Sequence, residues 1–149
     1  MNYYALFLND NSYIERCLTL IRFISNPQSY SPPHITLRLF EGANSKLDYV
    51  KDIDVTYLNV IEPGCFNIDV DGKKPPFVVY LRCESDELER IEYKPDFPFS
   101  RLHITLYEGN DVLYANQLFS LLSDRKWNFR LTFAEPRNLT EKTIGSKKS

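Results

Sequence analysis

The chain of 149 residues has only two histidines, three cysteines, one methionine and one tryptophan. The cysteines, Cys17, Cys65 and Cys83, are an odd number and widely separated, with no C-x-x-C pair. That indicates neither a disulfide framework nor a zinc site, and predicts reduced thiols in an intracellular, cytoplasmic chain. No apolar run approaches the ~18 residues of a membrane span, so no membrane partner is expected. The opening MNYYALFLNDN lacks the basic n-region and long apolar stretch of a signal peptide. A large excess of either charge sign is missing as well, with 18 basic and 20 acidic residues. A net charge of −2 gives no global pull toward nucleic acid or anionic lipid, so any anionic ligand must be held by a local site. No linker or low-complexity segment interrupts the chain.

What is present is an ordinary globular composition, 43% hydrophobic and 26% charged, with a generous 14% of aromatics. A chain of this length predicts a single domain over 1–149, with 140–149 as a polar, flexible tail. NYYALFLN reads as a strand. Ser12 and Glu15 form a capping box, and Ile14, Cys17, Leu18, Ile21 and Ile24 or Ser25 repeat at helical spacing. That helix should stop at Asn26-Pro27. HITLRLF is the next strand, followed by a weakly signalled short helix over 44–53. Strands are predicted at Val55–Val60 and Phe66–Val70, with Pro63-Gly64 as a turn and Asp71-Gly72 as a hairpin tip. FVVYLRC over 77–83 is a strong strand. Ser85 caps a short helix over DELERIEY, whose acidic run reads as a solvated face. Asn110 or Asp111 caps a helix to about Ser123, with Val112, Ala115, Leu118, Phe119 and Leu122 inward. Asn128–Glu135 closes as a strand. The class is α+β with two similar halves.

The two histidines occupy one repeated word. His34-Ile35-Thr36-Leu37 and His103-Ile104-Thr105-Leu106 both read HITL, each after a proline-containing loop and before a glycine, Gly42 and Gly109. Composition alone makes some repeated tetrapeptide in roughly one chain in ten. Here, however, the word contains every histidine in the protein. Side chains alternate along a strand, so His34 and Thr36 share one face and Ile35 and Leu37 the other; the second copy follows suit. Brought together, the strands give a cleft with two imidazoles and two stiffly held hydroxyls. This set suits a phosphodiester: a neutral histidine takes a proton from the attacking oxygen and a protonated one gives a proton to the leaving oxygen. The threonines donate to nonbridging phosphate oxygens, where charge gathers. Neither metal nor other cofactor is expected. Which histidine is acid and which base stays open.

Paired H-x-T-x motifs resemble the two-histidine (2H) phosphoesterase superfamily, the 2′-5′ RNA ligase-like proteins and cyclic phosphodiesterases. NYYALFLN with its following helix, PPHITLRLFEG, the stretch Phe66 then Pro75–Leu81, and PFSRLHITLYEG are similar to the family's opening, first motif, centre and second motif. The resemblance implies a bilobal, pseudo-two-fold fold of two antiparallel sheets flanking a central cleft, helices outside. It implies catalysis by His34, Thr36, His103 and Thr105. The substrate would be a cyclic-phosphate or 2′-5′-linked nucleotide or short oligonucleotide, RNA ends or a cyclic oligonucleotide included. Compact phage members destroy cyclic oligonucleotide defence signals, which is an alternative substrate. The chain departs from the pattern in its trimmed connections and in Arg101-Leu102 before His103, where proline is common.

Substrate contacts are expected from Arg38 and Tyr107, two residues past each threonine and on the same face of an unbroken strand. Arg101, Tyr30 and Phe99 lie in the loops before the motifs, placed to meet phosphate or bases. Either Tyr80 and Arg82 or Val79 and Leu81 face the cleft. A monomer is expected. A non-catalytic nucleotide- or RNA-binding module is the competing class, and a structural protein with a chance repeat the plainest one.

Overall fold

The computed structural model describes residues 2–28, 31–39, 49–50, 52–66, 74–91 and 102–138. The strands are β1 (Asn2–Leu8), β2 (His34–Leu39), β3 (Thr56–Phe66), β4 (Phe77–Glu84), β5 (His103–Gly109) and β6 (Arg130–Asn138). The helices are α1 (Tyr13–Ser25), α2 (Asp86–Ile91) and α3 (Val112–Ser123). The architecture is α+β, built on one antiparallel sheet of six strands in the order β2-β1-β6-β3-β4-β5. The strands expected to form two sheets are joined into one because the last strand, β6, pairs with β1 on one side and β3 on the other. Closing strands of this kind satisfy two ladders of backbone groups at once.

Helix α1 forms as its sequence dictates. Ser12 Oγ accepts from the Glu15 amide at 3.2 Å, and Glu15 Oε1 accepts from the Ser12 amide at 3.0 Å. The helix ends at Asn26, before Pro27. Of the two candidates for its last inward position, Ser25 is buried and Ile24 exposed. Asp111 caps α3 by accepting from the Tyr114 amide at 3.0 Å. Ala115, Leu118 and Leu122 face inward with Phe119 half-buried, whereas Val112, at the very first turn, is exposed. Ser85 Oγ accepts from the Leu88 amide at 3.3 Å and starts α2.

Pro63-Gly64 is not a turn. Both lie inside β3, paired with Leu81 and Tyr80. The glycine is required for a different reason: a Cβ there would fall on the ring of Tyr80. An aromatic laid over a strand glycine fills the missing side chain, so the dipeptide marks a close approach rather than a reversal. The Asp71-Gly72 tip and most of the helix expected over 44–53 lie outside the described residues.

One face of the sheet carries the core. Ile35, Leu37, Leu58, Leu81, Ile104, Leu106, Leu131 and Phe133 are fully buried against Leu18 of α1, Leu88 of α2 and Ala115 of α3. Each such aliphatic side chain contributes roughly 1.5–3 kcal/mol by leaving water. The apolar pair in each HITL is therefore an anchor that fixes which way the histidine and threonine point.

Among the described residues three bulges bend the sheet, at Leu6 opposite Glu135-Pro136, at Ile61, and at Leu106. Glu135 takes the left-handed backbone conformation this requires (φ 56°). Bulges increase local twist, and here the two ends of the strand order, β2 and β5, come into contact. The outer edge of β5 is covered by side chains of α1. Arg22 donates to the Thr105 carbonyl at 2.7 Å. Asn26 donates to the Leu106 carbonyl at 2.7 Å and accepts from the Glu108 amide at 3.1 Å. These bonds satisfy an edge that would otherwise be open to further pairing. The three cysteines are free thiols. Among the described residues no helix is long and apolar enough to cross a membrane.

Candidate functional site

The two H-x-T strands are the outermost members of the sheet, and its curl sets them side by side. His34 and Thr36 are half-buried while Ile35, Leu37 and Leu39 alternate into the core. His103 and Thr105 repeat the arrangement against Ile104 and Leu106. All four polar side chains therefore lie on the face opposite the core. Neither threonine hydroxyl has a partner among the described residues.

His34 is fixed from behind. Its Nδ1 lies 2.9 Å from the carbonyl oxygen of Pro32. A carbonyl only accepts, so Nδ1 carries the proton and Nε2 of the neutral ring presents a lone pair. Burial lowers the pKa of His34 below its ordinary value. The bond to Pro32 works against this, and the positive charges of Arg22 and His103 add to the lowering. The mutual effect of the two imidazoles is what two histidines facing one cleft produce. Arg22 ties the motifs mechanically as well, donating from Nε to the Ser31 carbonyl at 2.8 Å while Nη1 holds Thr105.

Each motif strand borrows aromatic neighbours from the strand inside it. On β1, Phe7 pairs with His34, their ring centroids 5.5 Å apart. On β4, Tyr80 and Arg82 pair with Thr105 and His103. Tyr80 lies 5.2 Å from the His103 ring and stacks at 4.6 Å on Phe66 of β3. The choice between the two faces of β4 is thus decided: Val79, Leu81 and Cys83 are buried, and Tyr80, Arg82 and Glu84 share the motif face. The apolar alternation in FVVYLRC carried this signal, but nothing in the sequence said that β4 pairs with β5. Burial, with Cys65 and Glu62 nearby, raises the Tyr80 pKa against the pull of Arg82, so its hydroxyl stays protonated. Arg82 bridges Glu62 and Glu84, each at 3.4 Å.

The expected substrate contacts divide three ways. Arg38 lies on the motif face, opposite Tyr3 of β1, as the alternation predicts. Tyr107 does not. The bulge at Leu106 makes two successive residues point inward, and Tyr107 is 6% exposed. Its hydroxyl accepts from the Asp111 amide at 3.0 Å, and its ring packs edge-on against Tyr114 at 5.0 Å. Tyr107 is a brace for the start of α3, and Gly109 is glycine because a Cβ would strike that hydroxyl. Arg101, Tyr30 and Phe99 lie outside the described residues, as does Gly42. Sequence reasoning missed Phe7, Phe66, Arg22 and Asn26 at the site. The last two reach β5 across some eighty positions of chain, for which a local pattern holds no signal.

Among the described residues no three His, Cys, Asp or Glu side chains gather into a metal-binding group. Compared with family models, curated proteins and solved structures, the chain matches none.

Proposed function

We propose that this chain is a two-histidine phosphoesterase, a metal-independent phosphodiesterase that hydrolyses a cyclic-phosphate or 2′-5′-linked nucleotide or oligonucleotide. The observation that carries this reading is the meeting of the two H-x-T edge strands, with both imidazoles and both hydroxyls on one face. The strand order supports a pseudo-two-fold reading: β2-β1-β6 and β3-β4-β5 each end in a motif strand with an aromatic-bearing strand inside it.

His34 suits the base. Its Nδ1 proton is committed to Pro32, its pKa is lowered, and Nε2 is left to accept. In the proposed reaction Nε2 removes a proton from the attacking water as its oxygen bonds to phosphorus. His103, protonated, gives its proton to the leaving oxygen as the second P–O bond breaks. Thr36 and Thr105 donate to the nonbridging oxygens, which carry more charge in the transition state than in the ground state. Acid–base catalysis of this kind contributes roughly 10²–10⁴-fold.

The test is hydrolysis in EDTA of the four 2′,3′-cyclic nucleotides, 2′-5′ and 3′-5′ dinucleotides, and cyclic di- and trinucleotides. Wild type is compared with His34→Ala, His103→Ala and the double variant. Turnover confined to wild type supports the mechanism; undiminished turnover in either single variant removes it.

A further inference from the structure

Across the joined edges the rings fall in sequence. Phe66 of β3, Tyr80 of β4 and His103 of β5 lie on one side of the seam, and His34 of β2 and Phe7 of β1 on the other. The His103 side is a wall: Tyr80 stacks on Phe66 at 4.6 Å, and both rings approach the imidazole, at 5.2 and 6.3 Å. The His34 side is a recess. A cavity of about 350 Å³ opens beside Phe7 and Pro32, and its lining includes Asp10 before α1, Thr19 and Phe23 of α1, and Glu135 and Arg137 of β6. Pro32 is the residue whose carbonyl holds His34, so the cavity and the imidazole share a wall. The β6 bulge at Glu135 sets Arg137 with its guanidinium carbon 4.9 Å over the Phe7 ring.

None of these rings is spent on the core. Phe7, Phe66 and Tyr80 are half-buried, on the face opposite Leu6, Leu8, Val79 and Leu81. Flat, partly exposed aromatic and guanidinium surfaces beside a phosphate-handling pair are what nucleobases stack on. The cavity is at the small end of ligand pockets, which run from roughly 300 Å³ upward. That suits one ring system rather than a whole dinucleotide.

Resting on the two-histidine reading above, we infer that the site takes an internal phosphodiester between two nucleosides. One base enters the Phe7–Arg137 cavity beside His34, and the other lies on the Phe66–Tyr80 wall beside His103. A 2′,3′-cyclic mononucleotide fills only one of the two. Phe7 and Tyr80 are then specificity-determining residues.

The experiment compares a 2′-5′-linked and a 3′-5′-linked adenosine dinucleotide, the same dinucleotides with either base removed, and adenosine 2′,3′-cyclic phosphate. Removing either base should lower kcat/KM about tenfold or more, as expected for loss of one stacked base. Phe7→Leu and Tyr80→Leu should each abolish the penalty for one base and not the other, while Tyr80→Phe, which keeps the stacking ring, should retain that penalty. The stacking inference is overturned if turnover depends on both histidines but is indifferent to either base. Should wild type turn over none of these, the catalytic reading fails by itself. Calorimetric titration with phosphorothioate-linked dinucleotides then decides the subsites. Tighter binding than the cyclic mononucleotide, weakened by Phe7→Leu and by Tyr80→Leu, upholds them, and equal affinity removes them.

Discussion

Arg22 of α1 donates to the main-chain carbonyl of Thr105 at 2.7 Å, linking a helix near the chain's start to the second motif strand. The same guanidinium holds Ser31, three residues before His34. Its charge also contributes to keeping the His34 pKa low, after burial. One side chain therefore sets the spacing of the two motifs and tunes one of their imidazoles.

Arg22→Met should destabilise the fold by about 1–3 kcal/mol, because two partly buried carbonyls lose a charged donor. It should also move the acid limb of the kcat/KM profile to higher pH, since removing a positive charge lets His34 hold its proton more easily. Denaturant unfolding reads the first effect and the pH profile the second. An unmoved profile would make Arg22 a strand tie alone.

The lowered pKa of His34 has a sign that can be checked in wild type. The folded state binds fewer protons than the unfolded chain as pH falls below the ordinary histidine value of ~6.5. The stability from keeping His34 neutral is present above that value and is lost as pH falls through the folded pKa. Activity should fall over the same lower window, as the base becomes protonated. Unfolding curves between pH 5 and 7.5 should slope less steeply with pH in His34→Ala.

Tyr107→Phe separates the strand pattern from the structure. Losing the hydroxyl leaves the Asp111 amide without its acceptor at the start of α3. The expected cost is about 1–2 kcal/mol of stability with KM unchanged. A raised KM at unchanged stability would return Tyr107 to the cleft.

Glu15 is 1% exposed and accepts four hydrogen bonds, from the amides of Asn11, Ser12 and Thr132 and from the Thr132 hydroxyl. Burial raises its pKa, but the bonds from Thr132 and Ser12 outweigh burial and leave it lowered. Its contribution is present above the ordinary carboxylate range and is lost as pH falls through the folded value. In Glu15→Gln, one end of the amide must turn N–H groups toward donors. A loss of roughly 1.5–3 kcal/mol at neutral pH is expected, shrinking in acid. Thermal unfolding of both proteins at pH 3.5 and 7 measures it.

Legibility followed distance along the chain. The capping box at Ser12 and Glu15, the stop at Asn26-Pro27 and the Asp111 cap are contacts within one helical turn, and short patterns encode them. The second role of Glu15, as acceptor for Thr132, is invisible in that pattern because it joins α1 to the last strand. Gly64 was misread because a glycine beside a proline looks the same locally whether it turns the chain or sits under a tyrosine. Tyr107 was misplaced because a bulge depends on the partner strand, not on the residues that bulge.

By itself the sequence determined the residue types of the candidate site and the face each motif presents, because strand alternation and the burial of Ile35, Leu37, Ile104 and Leu106 leave His and Thr no other side. It did not determine that the two motifs occupy the ends of one sheet, that bulges curl those ends together, or that Phe7 and Tyr80 flank them. Those follow from which strands exchange hydrogen bonds, and backbone pairing is blind to side-chain identity. Only the packed chain, closed through β6 and latched by Arg22 and Asn26, decides them.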